Sequence, residues 1–161
     1  MIPIAKLETL PVSHRETIPS DYSDIMRHMN IRWYMALYDE ATWKFVSSLG
    51  LDEEYYLKTH AGGFALKHFI QYLAEVRVGE IVAIRTRILG RSAKRLHFMH
   101  FMINETTNLL SSTMEALGTH ADIKIRRSSP FPSELSVKID SRLAEHQRLD
   151  WNAPVCGFIQ P

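Results

Sequence analysis

Asp24-Ile-Met-Arg27-His28-Met-Asn30 gathers an acid, a histidine and a short amide side chain within seven residues. The stretch lies directly ahead of the longest amphipathic segment of the chain, Ile31 to Leu49. Asn30 suits the N-cap of a helix beginning at Ile31, because its side chain can accept a hydrogen bond from a first-turn amide that has no intrahelical partner. A helix start also presents free N–H donors and about half a unit of positive charge. A carboxylate beside such donors is equipped to act on a polarised carbonyl. The same residues would serve equally if Asp24 and Asn30 only capped the helix, and the pattern alone leaves both readings open.

The element that must position this stretch is the helix itself. At ~100° per residue, Ile31, Tyr34, Met35, Leu37, Tyr38, Ala41, Phe45, Val46, Ser48 and Leu49 fill one wide arc, and Gly50 supplies a C-terminal stop. So broad an apolar arc predicts a helix wrapped by a sheet rather than one lying on a flat surface. Trp33 and Trp43 fall on the polar side, where a partner subunit or a ligand is expected to meet them.

After a loop or short helical piece over 51–63 the hydrophobic period changes to two. Strands are predicted over 63–76, 80–89, 94–104 and 109–125, the last two joined by the turn Glu105–Asn108, with an early strand over 10–18. One long helix followed by strands with short connections is an α+β arrangement with an antiparallel sheet. Residues 94–104 are apolar on both faces, so both faces of the sheet should be covered. A second subunit is the expected cover on the side away from the helix. A further helix is predicted over 133–146.

Bulk properties exclude several classes. A chain of 161 residues fits one domain with a real core. A net charge of +1 gives no electrostatic footprint for nucleic acid. There is no apolar run of the ~18 residues needed to span a membrane, and no signal-peptide pattern at the start. A single cysteine, Cys156, points to a reducing, cytoplasmic setting.

Other constellations are less specific. The eight histidines lack metal-ligand spacing, and His97 and His100 should point to opposite faces of their strand. Arg91, Lys94 and Arg95 at a turn, and Arg126-Arg127 after the last long strand, suit either a solvated loop or a phosphate contact. Glu115, in mid-strand, is expected on a wet face. Trp33, Tyr34, Tyr38, Trp43, Tyr55, Tyr56 and Phe64 suit a core, or a cation–π site for a quaternary ammonium group.

Taken together, the D-x-x-x-H-M-N motif, the long helix and the strand-rich half resemble the hotdog-fold acyl-CoA thioesterases of the 4-hydroxybenzoyl-CoA thioesterase type. Within them, the chain resembles the betainyl-CoA thioesterases of carnitine degradation. The pieces that carry the likeness run in order from about residue 20 to 132. They are Asp24–Asn30 with Tyr34, Leu73–Gly79, Leu89-Gly90, Lys94–His100, Thr113–Glu115, His120–Asp122 and Ser129-Pro130-x-Pro132.

The resemblance implies a long central helix wrapped by a curved antiparallel sheet over 1–128, with a C-terminal extension over 129–161. It implies Asp24 as general base or nucleophile on a thioester carbonyl, helix amides as oxyanion donors, and His28 and Asn30 shaping the site. Arg27, Trp33, Tyr34 and Phe64 are the expected substrate contacts. Lys94, Arg95 and Arg126 are expected at the phosphates of coenzyme A. The reaction would need no metal and no cofactor beyond the coenzyme A of the substrate. The substrate would be a short polar acyl-CoA, betainyl-CoA among the candidates, and the assembly a homodimer or a dimer of dimers. A hotdog dehydratase or hydratase, or an acyl-CoA-binding protein without turnover, are the alternatives.

Two departures stand out against the family pattern. Arg27 occupies a position that is usually glycine, and is expected either to forbid the φ > 0 conformation glycine allows or to add a cation. Lys67 stands where an acidic residue is usual. Both weigh against a cationic acyl group.

Overall fold

The computed structural model describes residues 2–161. Its elements in chain order are α1 (Ile4–Leu7), β1 (Val12–Thr17), a 3-10 turn (Ser20–Tyr22), α2 (Ile31–Ser48), α3 (Glu53–Thr59), β2 (Ala61–Tyr72), β3 (Ile81–Arg91), β4 (Arg95–Asn104), β5 (Leu109–Asp122), β6 (Arg127–Ser128) and α4 (Ser133–Gln147). The α+β reading, the long helix and each expected strand are present. The sheet has the order β1-β3-β4-β5-β2, with β6 paired to β5. Local chemistry sets the ends of several elements. Gly50, at φ 93°, stops α2, and Asp52 caps α3 by accepting the amide of Tyr55 at 2.8 Å.

The chain divides into two compact units. The first holds the residues up to Lys44 together with Ile70–Thr86 and His100–Met114. The second holds Phe45–Phe69, Arg87–Met99 and Glu115–Pro161.

In the first unit the helix is pinned to the sheet by a buried polar chain. Thr42 donates its hydroxyl hydrogen to the carbonyl of Tyr38 (2.8 Å), so it must accept from Nε2–H of His100 at 2.9 Å. His100 Nδ1 is then an acceptor, taking the hydroxyl of Thr86 at 2.8 Å, and Thr86 accepts in turn from Ser13 at 2.7 Å. The Tyr38 and His100 rings stack above this run, 5.6 Å apart. Of the expected apolar arc, Tyr34, Leu37, Tyr38 and Ala41 are buried, but Ile31 and Met35 are exposed. On the opposite face of β3, Arg85 donates to the carbonyls of Glu8 and Leu10, and Leu7 and Leu10 are buried there.

The second unit covers its part of the sheet with the C-terminal segment. Arg87 donates to the carbonyls of Trp151 (2.6 Å) and His146 (3.0 Å) and lies over the Trp151 ring. Arg91 holds Asp140 of α4 with two bonds, at 2.6 and 2.5 Å. On β4 the side chains alternate as expected. Phe98 meets Phe45 of α2, while His97 faces Glu115. Glu115 corrects the wet-face expectation, being 0% exposed and held by His97 Nε2 at 2.8 Å and by the amide of Cys156 at 2.6 Å. In both units, then, residues on the second face of the sheet are met by the chain's own terminal segments.

His146 gives the second unit a pH dependence. Its Nδ1 accepts the amide of Ile88 at 2.8 Å, which requires a neutral ring. Burial, then the charges of Arg142 and Arg87, push its pKa down to about 4. The unfolded ring protonates below about pH 6.5 while the native one resists, so this contribution is full above that pH and is lost as pH falls toward 4. Urea unfolding should show about 3 kcal/mol lost across that window. His146→Asn, which keeps an acceptor without a titrating ring, should flatten the loss.

Candidate active site

Residues 22–34 form a closed loop that ends in α2. Ser23 and Met29 make an isolated antiparallel bridge. The Asp24 amide donates to the His28 carbonyl (3.0 Å), and the Arg27 amide to the Asp24 carbonyl (3.0 Å). The loop is tied down on two sides: Met29 donates to the Val76 carbonyl at 2.7 Å, and Asn30 to that of Tyr22 at 2.9 Å. Residues 25–27 form the exposed tip.

Within this frame Asp24 keeps 15% of its side-chain surface. Its Oδ1 accepts the Met26 amide at 2.8 Å, and its Oδ2 lies 3.5 Å from His28 Nδ1. One carboxylate oxygen is thus fixed by backbone while the other faces an imidazole. Asn30 caps α2, accepting the Arg32 amide on its side chain (3.2 Å) and that of Trp33 on its carbonyl (3.0 Å). The Ile31 amide, between these two, is used by none of the hydrogen bonds among the described residues. A fixed carboxylate and an orphaned helix-start amide therefore share one short stretch of chain.

Arg27 sits at φ 66°, in the left-handed region. The expectation that an arginine would forbid the conformation of the usual glycine is overturned, since the two-way hydrogen bonding of the loop outweighs the side chain's steric cost. That cost is about 1 kcal/mol, so Arg27→Gly should raise stability by about 0.5 kcal/mol at most in chemical denaturation, the glycine's own unfolded-state entropy offsetting much of the gain.

Of the expected substrate contacts, two more lie in the first unit. Tyr34 is buried, its hydroxyl oxygen facing the backbone N–H of Val76, with Tyr72 edge-on at 5.0 Å; burial pushes its pKa up to about 12. Trp33 is stacked on Tyr22 at 3.8 Å, with the Arg32 guanidinium 4.9 Å from its ring. Its place on the polar side of the helix is thus filled from within the chain. Phe64, Lys94, Arg95 and Arg126 lie in the second unit. Phe64 is exposed on β2. Lys94 and Arg95 sit at the β3–β4 turn, where the Lys94 carbonyl accepts the amide of His120 at 2.8 Å. Arg126, at φ 51°, lies in the exposed turn leading to β6.

The supporting residues Tyr22 and Val76 were not foreseen, because they act through backbone carbonyls that leave no mark on side-chain type. In the second unit a further chain went unread: Tyr55 Oη lies 2.8 Å from His120 Nε2, and His120 Nδ1 is 3.0 Å from Ser129.

The chain is similar to several known proteins. Residues 19–139 match the family model of the thioesterase-like superfamily. A betainyl-CoA thioesterase of Pseudomonas aeruginosa is 26% identical over 129 residues, covering 80% of this chain and 81% of that protein. A fused L-carnitine dehydrogenase/betainyl-CoA thioesterase of Agrobacterium fabrum is 28% identical over 134 residues, covering 83% of this chain. The chain spans only 27% of that fused protein's length. Among solved structures, a hypothetical protein of Staphylococcus aureus in complex with CoA superposes with a TM-score of 0.82 at 24% identity, covering 89% of this chain and 90% of the other. A 1,4-dihydroxy-2-naphthoyl-CoA thioesterase of Synechocystis superposes with a TM-score of 0.69 at 14% identity, covering 79% and 93%. The likeness in structure establishes the fold, and the match over 19–139 establishes the family: the chain is a member of the thioesterase-like superfamily, built on the hotdog fold.

Proposed function

We propose that this protein hydrolyses a short polar acyl-CoA to the free acid and coenzyme A. The observation that carries the reading is the fixed carboxylate of Asp24 on the loop that ends in the unpartnered Ile31 amide. The relatives named as betainyl-CoA thioesterases support the substrate class.

Asp24 takes a proton from water as the oxygen attacks the thioester carbon. The carbonyl oxygen becomes an oxyanion, which the Ile31 amide and the positive end of α2 stabilise. Collapse of the tetrahedral intermediate breaks the C–S bond, and the thiolate leaves, taking up the proton. His28, at 3.5 Å, orients the carboxylate, and Asn30 holds the helix start in register. Trp33 and Tyr34 brace the loop from the first turn of α2 by packing against Tyr22 and Tyr72. In the second unit Lys94, Arg95 and Arg126 are cations on turns of a kind that suits phosphate. Every step uses side chains and backbone alone, in the cytoplasm where coenzyme A thioesters are made.

The working unit in this reading is a homodimer joined along β2. That strand ends the sheet, and its Phe64, Leu66, Phe69 and Tyr72 are each between 40% and 50% exposed. An apolar edge of this length is a template for pairing with a second copy.

The test is thiol release, with quantified acid product, from a panel of acyl-CoAs of differing length and charge. Stoichiometric acid and CoA from at least one short acyl-CoA is the expected result. Binding of the panel without release from any member would overturn the reading.

A further inference from the structure

Most arginines of the first unit are occupied. Arg15 is held by Glu105 (2.8 and 2.9 Å), Arg77 is paired with Glu75, and Arg85 is spent on two carbonyls. Arg27 and Arg32, on either side of His28 to Asn30, differ. Among the described residues neither guanidinium has a carboxylate within 4 Å; Arg32 rests against Trp33 and Arg27 has no side-chain partner. The acids nearest in sequence, Asp21 and Asp24, are not paired with them, and Asp24 is engaged by Met26 and His28. The segment bearing the carboxylate therefore carries two uncompensated cations. Arg27 keeps its place at φ 66°, where glycine would be less strained.

Resting on the thioesterase reading, we propose that Arg27 is a specificity residue that receives a carboxylate at the far end of the acyl chain, making the substrate the monothioester of a short dicarboxylic acid. A planar guanidinium binds a carboxylate through two parallel hydrogen bonds and repels a quaternary ammonium. Distance favours the acyl end over the carrier. The far carboxylate of a short diacid lies a few bonds from the thioester carbon that Asp24 must reach. The phosphates of coenzyme A lie beyond the whole pantetheine arm. Selection therefore runs opposite to that of an enzyme for a trimethylammonium acyl group: attraction and repulsion both act through one side chain.

Calorimetry with unreactive thioethers of coenzyme A separates these cases. Carboxypropyl-, propyl- and trimethylammonioethyl-CoA would be titrated into wild type, Arg27→Gln and Arg27→Lys. Wild type should bind the carboxylated thioether about 30-fold more tightly than the propyl one, and Arg27→Gln should bring that ratio close to one. Arg27→Lys, which keeps the charge and loses the fork, should recover part of it. The ratio of kcat/KM for glutaryl-CoA over valeryl-CoA should fall in parallel. Equal losses for all three thioethers in Arg27→Gln would assign Arg27 to the carrier phosphates and overturn the proposal, as would wild-type preference for the trimethylammonium thioether. Failure to hydrolyse any thioester would remove the reaction, while the thioether ratio would still decide whether Arg27 selects a carboxylate.

Discussion

Glu115→Ala should destabilise the protein by about 3–4 kcal/mol. The carboxylate is fully buried and uses both oxygens, one for His97 and one for the Cys156 amide. Removing it strands a buried imidazole N–H and frees a backbone N–H of the C-terminal segment. Each orphaned donor costs about 1–3 kcal/mol, so the two together account for the loss. The double variant His97→Leu/Glu115→Leu removes both polar partners together and should lose at least 1 kcal/mol less than Glu115→Ala. Urea denaturation of the three proteins provides the comparison. Because Cys156 is tethered through Glu115, limited proteolysis of Glu115→Ala should also cut the C-terminal segment sooner than in wild type. An alanine variant as stable as wild type would show that the pair contributes nothing.

This site also marks where local sequence stops being informative. A carboxylate in mid-strand signals a wet face only if the face is open, and whether it is open depends on residues far along the chain. His97 lies 18 positions before Glu115, and Cys156 lies 41 after it. Neither the strand nor its alternation carries that pairing. The doubly apolar strand 95–104 did announce two covered faces, but not the cover. Arg85 and Arg87 select the terminal segments through backbone carbonyls of Glu8, Leu10, His146 and Trp151, which any side chain could carry. Ile31 and Met35 were read inward because helical period counts apolar types without knowing how much of the first two turns the sheet reaches.

The loop ahead of α2 was more legible because its hydrogen bonds are local. Asn30 caps the helix through an amide two residues on, and Asp24 binds Met26, also two residues on. Spacing of that kind survives in the sequence. What the spacing misjudged was Arg27: a side chain said glycine was absent, while the backbone bonds that close the loop impose φ 66° regardless.

Asp24→Asn should lower thiol release by about 100-fold or more. The substitution keeps the size of the side chain, and the amide oxygen can still accept the Met26 N–H, so the loop should stay closed. What disappears is the negative charge and the ability to take a proton from water or to attack the thioester. An amide beside His28 at 3.5 Å can hydrogen-bond but is no base. Binding should survive, since the substitution touches neither the helix-start amides nor the cations proposed to meet coenzyme A. The loss therefore belongs in kcat more than in KM, as for an interaction used in the transition state. Ground-state affinity for an unreactive thioether of coenzyme A should differ by less than about threefold between the two proteins, well under one kcal/mol.

Side-by-side thiol release by wild type and Asp24→Asn, on the best acyl-CoA of the panel at saturating concentration, tests the thioesterase reading most directly. A drop of about 100-fold with thioether affinity retained is the predicted result. Equal turnover by the two proteins would contradict it, and would mean that the carboxylate on the loop ahead of α2 takes no part in the reaction.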